Sequence, residues 1–277
     1  MTDIGEGVSV AVDVEKKPSP GKLKVKVVDK CTYAPVEGAE VKVGGWFPTT
    51  MTTDANGIAD FGEMEPDTYA VKVKKHFTEA DYFLFLSHGG LFPRITWSQK
   101  AVSESVGSVT LPEGGRVESV LKIKVFRVVD QILFKRLHLE LSSLEYGHWW
   151  TDLGGGESYG WWPESVFSGP ALSAIIDTFM GVPGALNGMK ADGSNDFSDT
   201  ASLTRDPHHA DDRADVDEMF SAVISDCRTD EDLKKIARRF AKAYSGRWSW
   251  RFEFGNHCHT FQIGLMDKIA PKGYRDS

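Results

Sequence analysis

From Lys22 the chain alternates, with apolar Leu23, Val25 and Val27 set between Lys22, Lys24 and Lys26. A period of two predicts a strand with one buried face. The pattern returns in Ala39-Glu40-Val41-Lys42-Val43 after the turn Pro35-Val36-Glu37-Gly38, and again in Thr68–Lys74 after Pro66-Asp67. Between them Asp54-Ala55-Asn56-Gly57 predicts a tight hairpin, because Asn-Gly accepts the positive φ angles such a turn needs. No structure is assigned to residues 1–21, which end in Lys16-Lys17-Pro18-Ser19-Pro20-Gly21, a composition suited to a flexible leader.

Near residue 130 the pattern changes. Leu137–Leu141 opens a new strand, and two strongly marked strands at 147–153 and 157–163 are joined by Gly154-Gly155-Gly156. After a long stretch rich in Gly, Asp and Ser, Thr229-Asp230-Glu231-Asp232 forms a capping-box signature. Leu233, Ile236, Ala237, Phe240, Ala241 and Tyr244 then share a helix face, opposite a face of Lys234, Lys235, Arg238, Arg239 and Lys242 read as solvated. Apolar residues at helical spacing from Thr260 to Ile269 place Cys258 at the start of a last helix.

The first half resembles the transthyretin-like, carboxypeptidase-regulatory type of β-sandwich. The resemblance lies in Val27-Val28-Asp29 through Pro35–Ala39, in Thr53–Gly57 and in Pro66–Tyr69, and it resumes at Gly107–Leu111 and Val117–Ile123. It implies a domain over 22–130, interrupted near 76–106 by an aromatic-rich insertion read as a loop packing its own aromatics on the sandwich, with a partner surface as the alternative. Such sandwiches position or deliver something else, so chemistry is expected in residues 131–277.

At 277 residues the chain is long enough to bury a sizeable core in two domains. A net charge of -8 without a basic stripe argues against nucleic acid as a partner. The start of the chain lacks the pattern of a secretory signal, and no apolar run reaches the length of a membrane span, so synthesis in the cytoplasm is expected. Three widely spaced cysteines, Cys31, Cys227 and Cys258, suggest unpaired thiols made in a reducing compartment, with Cys227 a packing residue.

Cys258 is different, because it lies within Gly255-Asn256-His257-Cys258-His259 at a helix N-terminus. There the helix dipole and neighbouring imidazoles lower a thiol pKa and make a nucleophile. A cysteine hydrolase also needs a base and a group to orient it. His148 is the best base, pointing by strand parity with Trp150 and Asp152. A histidine on an early strand, a hairpin, a helical region, then an Asn-containing Cys motif at a helix start with Phe261 three residues on: this order resembles the circularly permuted NlpC-type papain-fold hydrolases. That family includes bacterial cell-wall amide hydrolases and the lecithin:retinol acyltransferase branch. The resemblance implies Cys258 as nucleophile and His148 as base. The orienting carboxylate is left between Glu164, favoured because a fold about Gly155 or Gly156 brings residues 162 to 164 opposite His148, and Glu157. Trp150, Trp161 and Asn256 are expected to meet substrate. The rival site, Arg205-Asp206-Pro207-His208-His209-Ala210-Asp211-Asp212, has two histidines and several carboxylates that could ligate zinc or another divalent cation, but its spacing matches no metal motif and Asp-Pro before acidic residues also suits a loop entering a helix, so neither metal nor cofactor is expected.

The sequence thus predicts an α+β protein with an N-terminal transthyretin-like β-sandwich and a C-terminal permuted papain-like (NlpC-type) hydrolase. Its expected substrate is an amide bond of bacterial peptidoglycan. The architecture resembles antibacterial effector cargo of type VI secretion, which implies a secretion-apparatus partner for the sandwich, an immunity protein, and export into a target cell. Lipid acyl ester hydrolysis or acyl transfer by the same Cys-His pair is the second reading. A non-catalytic module holding carbohydrate on its tryptophans is the third.

Overall fold

The computed structural model describes residues 17–44, 48–77, 84–87, 94–97, 101–139, 146–165, 171–190, 192–195, 200–209, 218–250 and 255–270. Residues 1–16 of the expected leader, about half of the 76–106 insertion and Asp211-Asp212 lie outside them, and Gly21 at the end of that leader opens the first strand. The described chain is mostly β, with three short helices. In order the elements are β1 (Gly21–Asp29), β2 (Glu40–Val43), β3 (Thr49–Thr52), β4 (Ile58–Met64), β5 (Asp67–Phe77), β6 (Leu84–Ser87), β7 (Arg94–Trp97) and β8 (Ala101–Leu111). There follow β9 (Arg116–Ile123), β10 (Arg127–Leu139), β11 (Tyr146–Gly154), β12 (Glu157–Pro163), α1 (Ala171–Met180), β13 (Val182–Leu186), β14 (Glu218–Ile224), α2 (Asp230–Ala243), β15 (Arg247–Trp248) and α3 (Cys258–Ile269). No helix among the described residues is long and apolar enough to cross a membrane.

The chain forms two compact units, one drawn from Met1–Asp29, Tyr33–Lys75 and Glu104–Ile123, the other from Lys30–Thr32, His76–Ser103 and Lys124–Ser277. The last break between the units falls at Ile123/Lys124, and His76–Ser103 groups with the second unit.

The first unit holds one sheet in the order β4-β1-β9 and strands of a second in the order β3-β2-β5-β8. The alternation read from the sequence is the alternation of burial. Leu23, Val25 and Val27 are buried on β1, Val41 and Val43 on β2, and Val71 and Val73 on β5, while Lys22 and Lys24 face outward. The Asp54–Gly57 turn departs from the expected hairpin. It joins β3 in one sheet to β4 in the other, and of its residues Gly57 alone has positive φ, at 73°. Asp54 Oδ1 accepts from the amides of Asn56 and Ile58, so the side chain supplies the turn that Asn-Gly was expected to make. Glycine is required at 57 because a Cβ there would run against the Val27 carbonyl.

The second unit is built on the antiparallel sheet β14-β10-β11-β12-β13-β15. Its core gathers Val129, Ile132, Phe134, Trp149, Leu153, Tyr159 and Trp161 from the strands with Leu233, Ala237, Phe261, Leu265 and Ile269 from α2 and α3. α2 begins as expected: Thr229 Oγ1 accepts from the Asp232 amide, and the Asp232 carboxylate accepts from the Thr229 amide. Its basic face is not wholly solvated, since Arg238 pairs with Glu157.

The cysteines depart from expectation. Cys31, in the segment Lys30–Thr32, forms a disulfide with Cys227, leaving Cys258 as the free thiol among the described residues. A separation of 196 residues hides such a pair from any reading of spacing. Cys227 directly precedes Arg228, whose guanidinium donates to the carbonyls of Lys268 and Ile269 at the end of α3, so the bridge ties Lys30–Thr32 to the joint between α2 and α3. Closing so long a loop restricts the unfolded chain, and Cys227→Ser is expected to cost roughly 2–5 kcal/mol. Thermal unfolding of wild type and variant, with and without reductant, checks this: reductant should lower the melting temperature of wild type only.

Candidate active site

The hairpin β11–β12 sets the site. Trp150 pairs with Gly160, Thr151 with Tyr159 and Asp152 with Ser158, and Gly154, Gly155 and Gly156 all take positive φ in the turn. Alternation turns Trp149, Leu153, Tyr159 and Trp161 toward the helices and leaves His148, Trp150, Ser158, Gly160 and Trp162 on the other face. The register carries position 162 opposite His148, as expected, and the rings of His148 and Trp162 lie 4.0 Å apart.

The carboxylate beside His148 does not come from the hairpin. His148 Nε2 lies 3.0 Å from Oδ2 of Asp206, in the 200–209 segment, and both side chains are buried. Trp162 Nε1 donates to the same oxygen at 2.8 Å, and the His208 amide donates to Oδ1 at 2.9 Å. The segment is sewn to β12 by its backbone. Ser158 donates its amide to the Thr204 carbonyl, and Asp206 donates its own to Ser158 Oγ. Asn187, fully buried with φ 56°, accepts from the Gly160 amide and donates to the carbonyls of Ser158 and Ser202. Gly160 has to be glycine: a Cβ there would collide with Asp206 Oδ2 and come within 3.0 Å of His148 Nε2.

Glu157 and Glu164 are therefore not the orienting group. Glu157 is taken by a bidentate ion pair with Arg238 and by the Tyr159 hydroxyl, which hold its carboxyl below the usual range. Glu164 donates its amide to the Pro183 carbonyl beyond the end of β12.

The thiol expected as nucleophile stands at the start of α3, whose first residue is Cys258. His257 caps the helix, its Nδ1 accepting from the His259 amide at 3.3 Å while Thr260 Oγ1 accepts from the His257 amide. Gln262 anchors the helix to the sheet, accepting from Thr151 Oγ1 and donating to the Tyr159 carbonyl. The His148 imidazole, bound through Nε2 to Asp206, also shares a hydrogen bond with the Cys258 thiol.

The electrostatics follow from this contact. Burial alone would raise the Cys258 pKa, but His259, His148 and His257 outweigh it and hold the thiol well below its ordinary value. For His148, burial opposes protonation, yet the charge and hydrogen bond of Asp206, with Cys258, push its pKa up to about 9. Asp206 is depressed in turn: desolvation is overcome by His148 and by the donors Trp162 and His208. All three shifts run in the direction that favours a thiolate beside an imidazolium, with a carboxylate behind it.

Of the expected substrate residues, Trp161 is 3% exposed and packs in the core 4.9 Å from the Tyr244 ring. Asn256 spends its carbonyl on the Tyr244 hydroxyl and so ties the turn before α3 to the end of α2. Trp150 is fully buried, its ring parallel to that of His148 at 5.8 Å. Trp162, half-buried and stacked against His208 at 5.6 Å, is the aromatic that borders the triad most openly. The sequence reading missed Asp206 as a partner for the base; the one signal was an Asp-Pro-His-His run inside a polar stretch. Among the described residues no group of three or more metal-ligating side chains converges to hold an ion.

No protein-family pattern and no curated protein sequence matches the chain. Among solved structures, it is similar to a variant of the major pilin subunit of Bacillus cereus, at 16% identity over 38% of this chain and 30% of that one, with a TM-score of 0.26. The Bacillus anthracis TIE protein gives 18% identity over 50% and 29% of the two chains, with a TM-score of 0.27. A carbohydrate-binding protein, so described as putative, from Bacteroides uniformis gives 11% over 52% and 58%, with a TM-score of 0.25. The chain thus spans less than two thirds of each of these structures, and the functional reading rests on the site.

Proposed function

We propose that the chain is a cysteine hydrolase with a permuted papain-like catalytic unit, and that it opens an amide bond of bacterial peptidoglycan. The observation that carries the reading is one imidazole placed between a helix-start thiol and a buried carboxylate, His148 Nε2 to Asp206 Oδ2 at 3.0 Å with Cys258 on the other side. The Cys258 thiolate adds to the carbonyl carbon, and the carbonyl electron pair moves onto oxygen. The oxyanion collapses as imidazolium His148 gives its proton to the leaving amine, leaving a thioester on Cys258. Water then attacks the thioester, His148 takes its proton, and the carboxylic acid leaves as the thiolate is restored.

The Cys31–Cys227 disulfide fits work in an oxidising compartment such as a target cell's periplasm. The transthyretin-like sandwich would dock the protein on a contact-dependent secretion apparatus, and an immunity protein would protect the producer. A lipid acyl ester is the second substrate class, favoured by one feature. Leu172, Ile175, Ile176 and Phe179, 69%, 63%, 50% and 43% exposed, form an apolar face on α1, whose Thr178 carbonyl accepts from the Trp250 amide a few residues before Cys258.

Peptidoglycan sacculi and phospholipid vesicles, incubated separately with the protein, distinguish the two. Mass spectrometry should show new amine and carboxyl termini in muropeptides, and a transient acyl adduct on Cys258. Release of fatty acid from vesicles alone replaces amide by ester as the bond cleaved. Failure of both, with an unmodified thiol, removes the hydrolase reading. The pH profile should be bell-shaped. The acid limb lies below the ordinary thiol value, where the thiolate is protonated, and the alkaline limb lies near 9, where His148 loses the proton it must donate.

A further inference from the structure

We propose that Trp162 is a positioning residue: its indole N–H holds the oxygen of Asp206 that meets His148, so the hairpin that carries the base also aims the carboxylate. The inference rests on the cysteine-hydrolase reading and assigns a role that the reading does not require.

Asp206 belongs to the 200–209 segment, whose own pairing is the isolated bridge between Ser202 and Arg205. The bonds that tie this segment to β12 reach its backbone, and the His208 amide holds Oδ1 of the carboxylate. Oδ2 is left to be set by what meets it. That oxygen lies 3.0 Å from His148 Nε2 and accepts the Trp162 N–H at 2.8 Å. Trp162 stands on an interior strand, β12, with β11 on one side and Ala185 of β13 paired to it on the other, so its backbone is fixed independently of 200–209. Its ring is confined as well, with its centre 4.0 Å from that of His148 and 5.6 Å from that of His208. A rigid hairpin therefore presents donor and base together, and both engage one oxygen of a carboxylate borne on a less regular segment. The second donor also helps keep the buried carboxylate ionised. Burial favours its protonated form, and the indole opposes this together with His148 and the His208 amide.

Trp162→Phe removes the N–H and keeps a ring against His148 and His208. Iodoacetamide alkylation of Cys258 against pH reads the result in two steps. The rate rises where the thiolate forms beside the imidazolium, and again where the imidazolium loses its proton and leaves a more basic thiolate. The other titratable groups around the pair, His208 in 200–209, His257 and His259 on α3 and Tyr244 at the end of α2, are all retained in this variant. Positioning predicts that the two steps move toward each other, because a less firmly held carboxylate favours the imidazolium less, and that alkylation on the acid slope falls about tenfold. If the indole merely drew charge from Oδ2, its loss would move the steps apart. In the Asp206→Asn background, Trp162→Phe should move neither step further, because the indole acts through the carboxylate. Steps that stay in place, move apart, or shift again in the double variant overturn the inference. An NMR spectrum of the indole N–H groups covers the case in which Trp162→Phe does not fold. Asp206→Asn should move one indole resonance upfield, and in wild type that same resonance should titrate with His148, near 9. If no indole resonance does both, the inference is overturned as well. If wild-type Cys258 is alkylated in a single step at the ordinary thiol value, the hydrolase reading falls and the inference with it.

Discussion

Cys258→Ala is expected to remove turnover by at least about 10⁴-fold while leaving the fold intact, because in the proposed mechanism the thiolate forms the covalent bond and no neighbouring group replaces it. The side chain is half-buried at the first position of α3, and the capping contacts of His257 and Thr260 do not pass through it. His148→Ala should cost a comparable factor for a different reason. Without the imidazole the thiol loses a partner that lowers its pKa, and the leaving amine loses its proton donor. The two variants separate in alkylation: His148→Ala should still take up iodoacetamide, slowly and with a rate that climbs toward the ordinary thiol pKa, whereas Cys258→Ala should take up none. Cys227→Ser supplies the opposite pattern, since it breaks a disulfide away from the triad: a lower melting temperature with kcat retained. Full turnover in Cys258→Ala on a verified substrate would return the site to the binding-module reading.

What the sequence made legible was local. His148 stands on a strand whose alternation assigns its face, and Cys258 follows a Gly-Asn-His turn into a run of helical period, so both could be placed without the fold. The hairpin register was legible too, because three glycines fix where the chain reverses. Its consequence was not. The residue brought opposite His148 is Trp162, which binds the orienting carboxylate instead of supplying one. Asp206 lies 58 residues along the chain from His148, in a segment with no period to read, and reaches the base only through Ser158 and Asn187. The disulfide was hidden for the same reason, at a separation of 196 residues. α1 was missed differently. Its apolar residues at 172, 175, 176 and 179 do follow a helical period, but Gly169-Pro170 before it and Gly181-Val182-Pro183-Gly184 after it read as loop.

Asp206→Asn should lower kcat/KM by roughly 10²–10⁴-fold, and the pH dependence should show why. Asn keeps the shape and an oxygen for Trp162, so the segment should stay sewn to β12 and the melting temperature should change little. What it removes is charge. The His148 pKa stands near 9 because the Asp206 carboxylate favours the imidazolium against the pull of burial, so without that charge burial prevails and the value falls. The sign is then fixed: the alkaline limb moves to lower pH, and the thiolate share at neutral pH shrinks as its counter-ion is lost. A purely structural role for Asp206 would scale the rate and leave the limbs in place. Glu157→Gln should do the reverse, weakening the Arg238 ion pair and lowering the melting temperature with the pH limbs unmoved, because that carboxylate faces α2 and not the base. Glu164→Gln should change neither. If Asp206→Asn keeps wild-type kcat/KM and both limbs while Glu157→Gln or Glu164→Gln loses them, the orienting carboxylate has been misassigned and the hairpin supplies it after all.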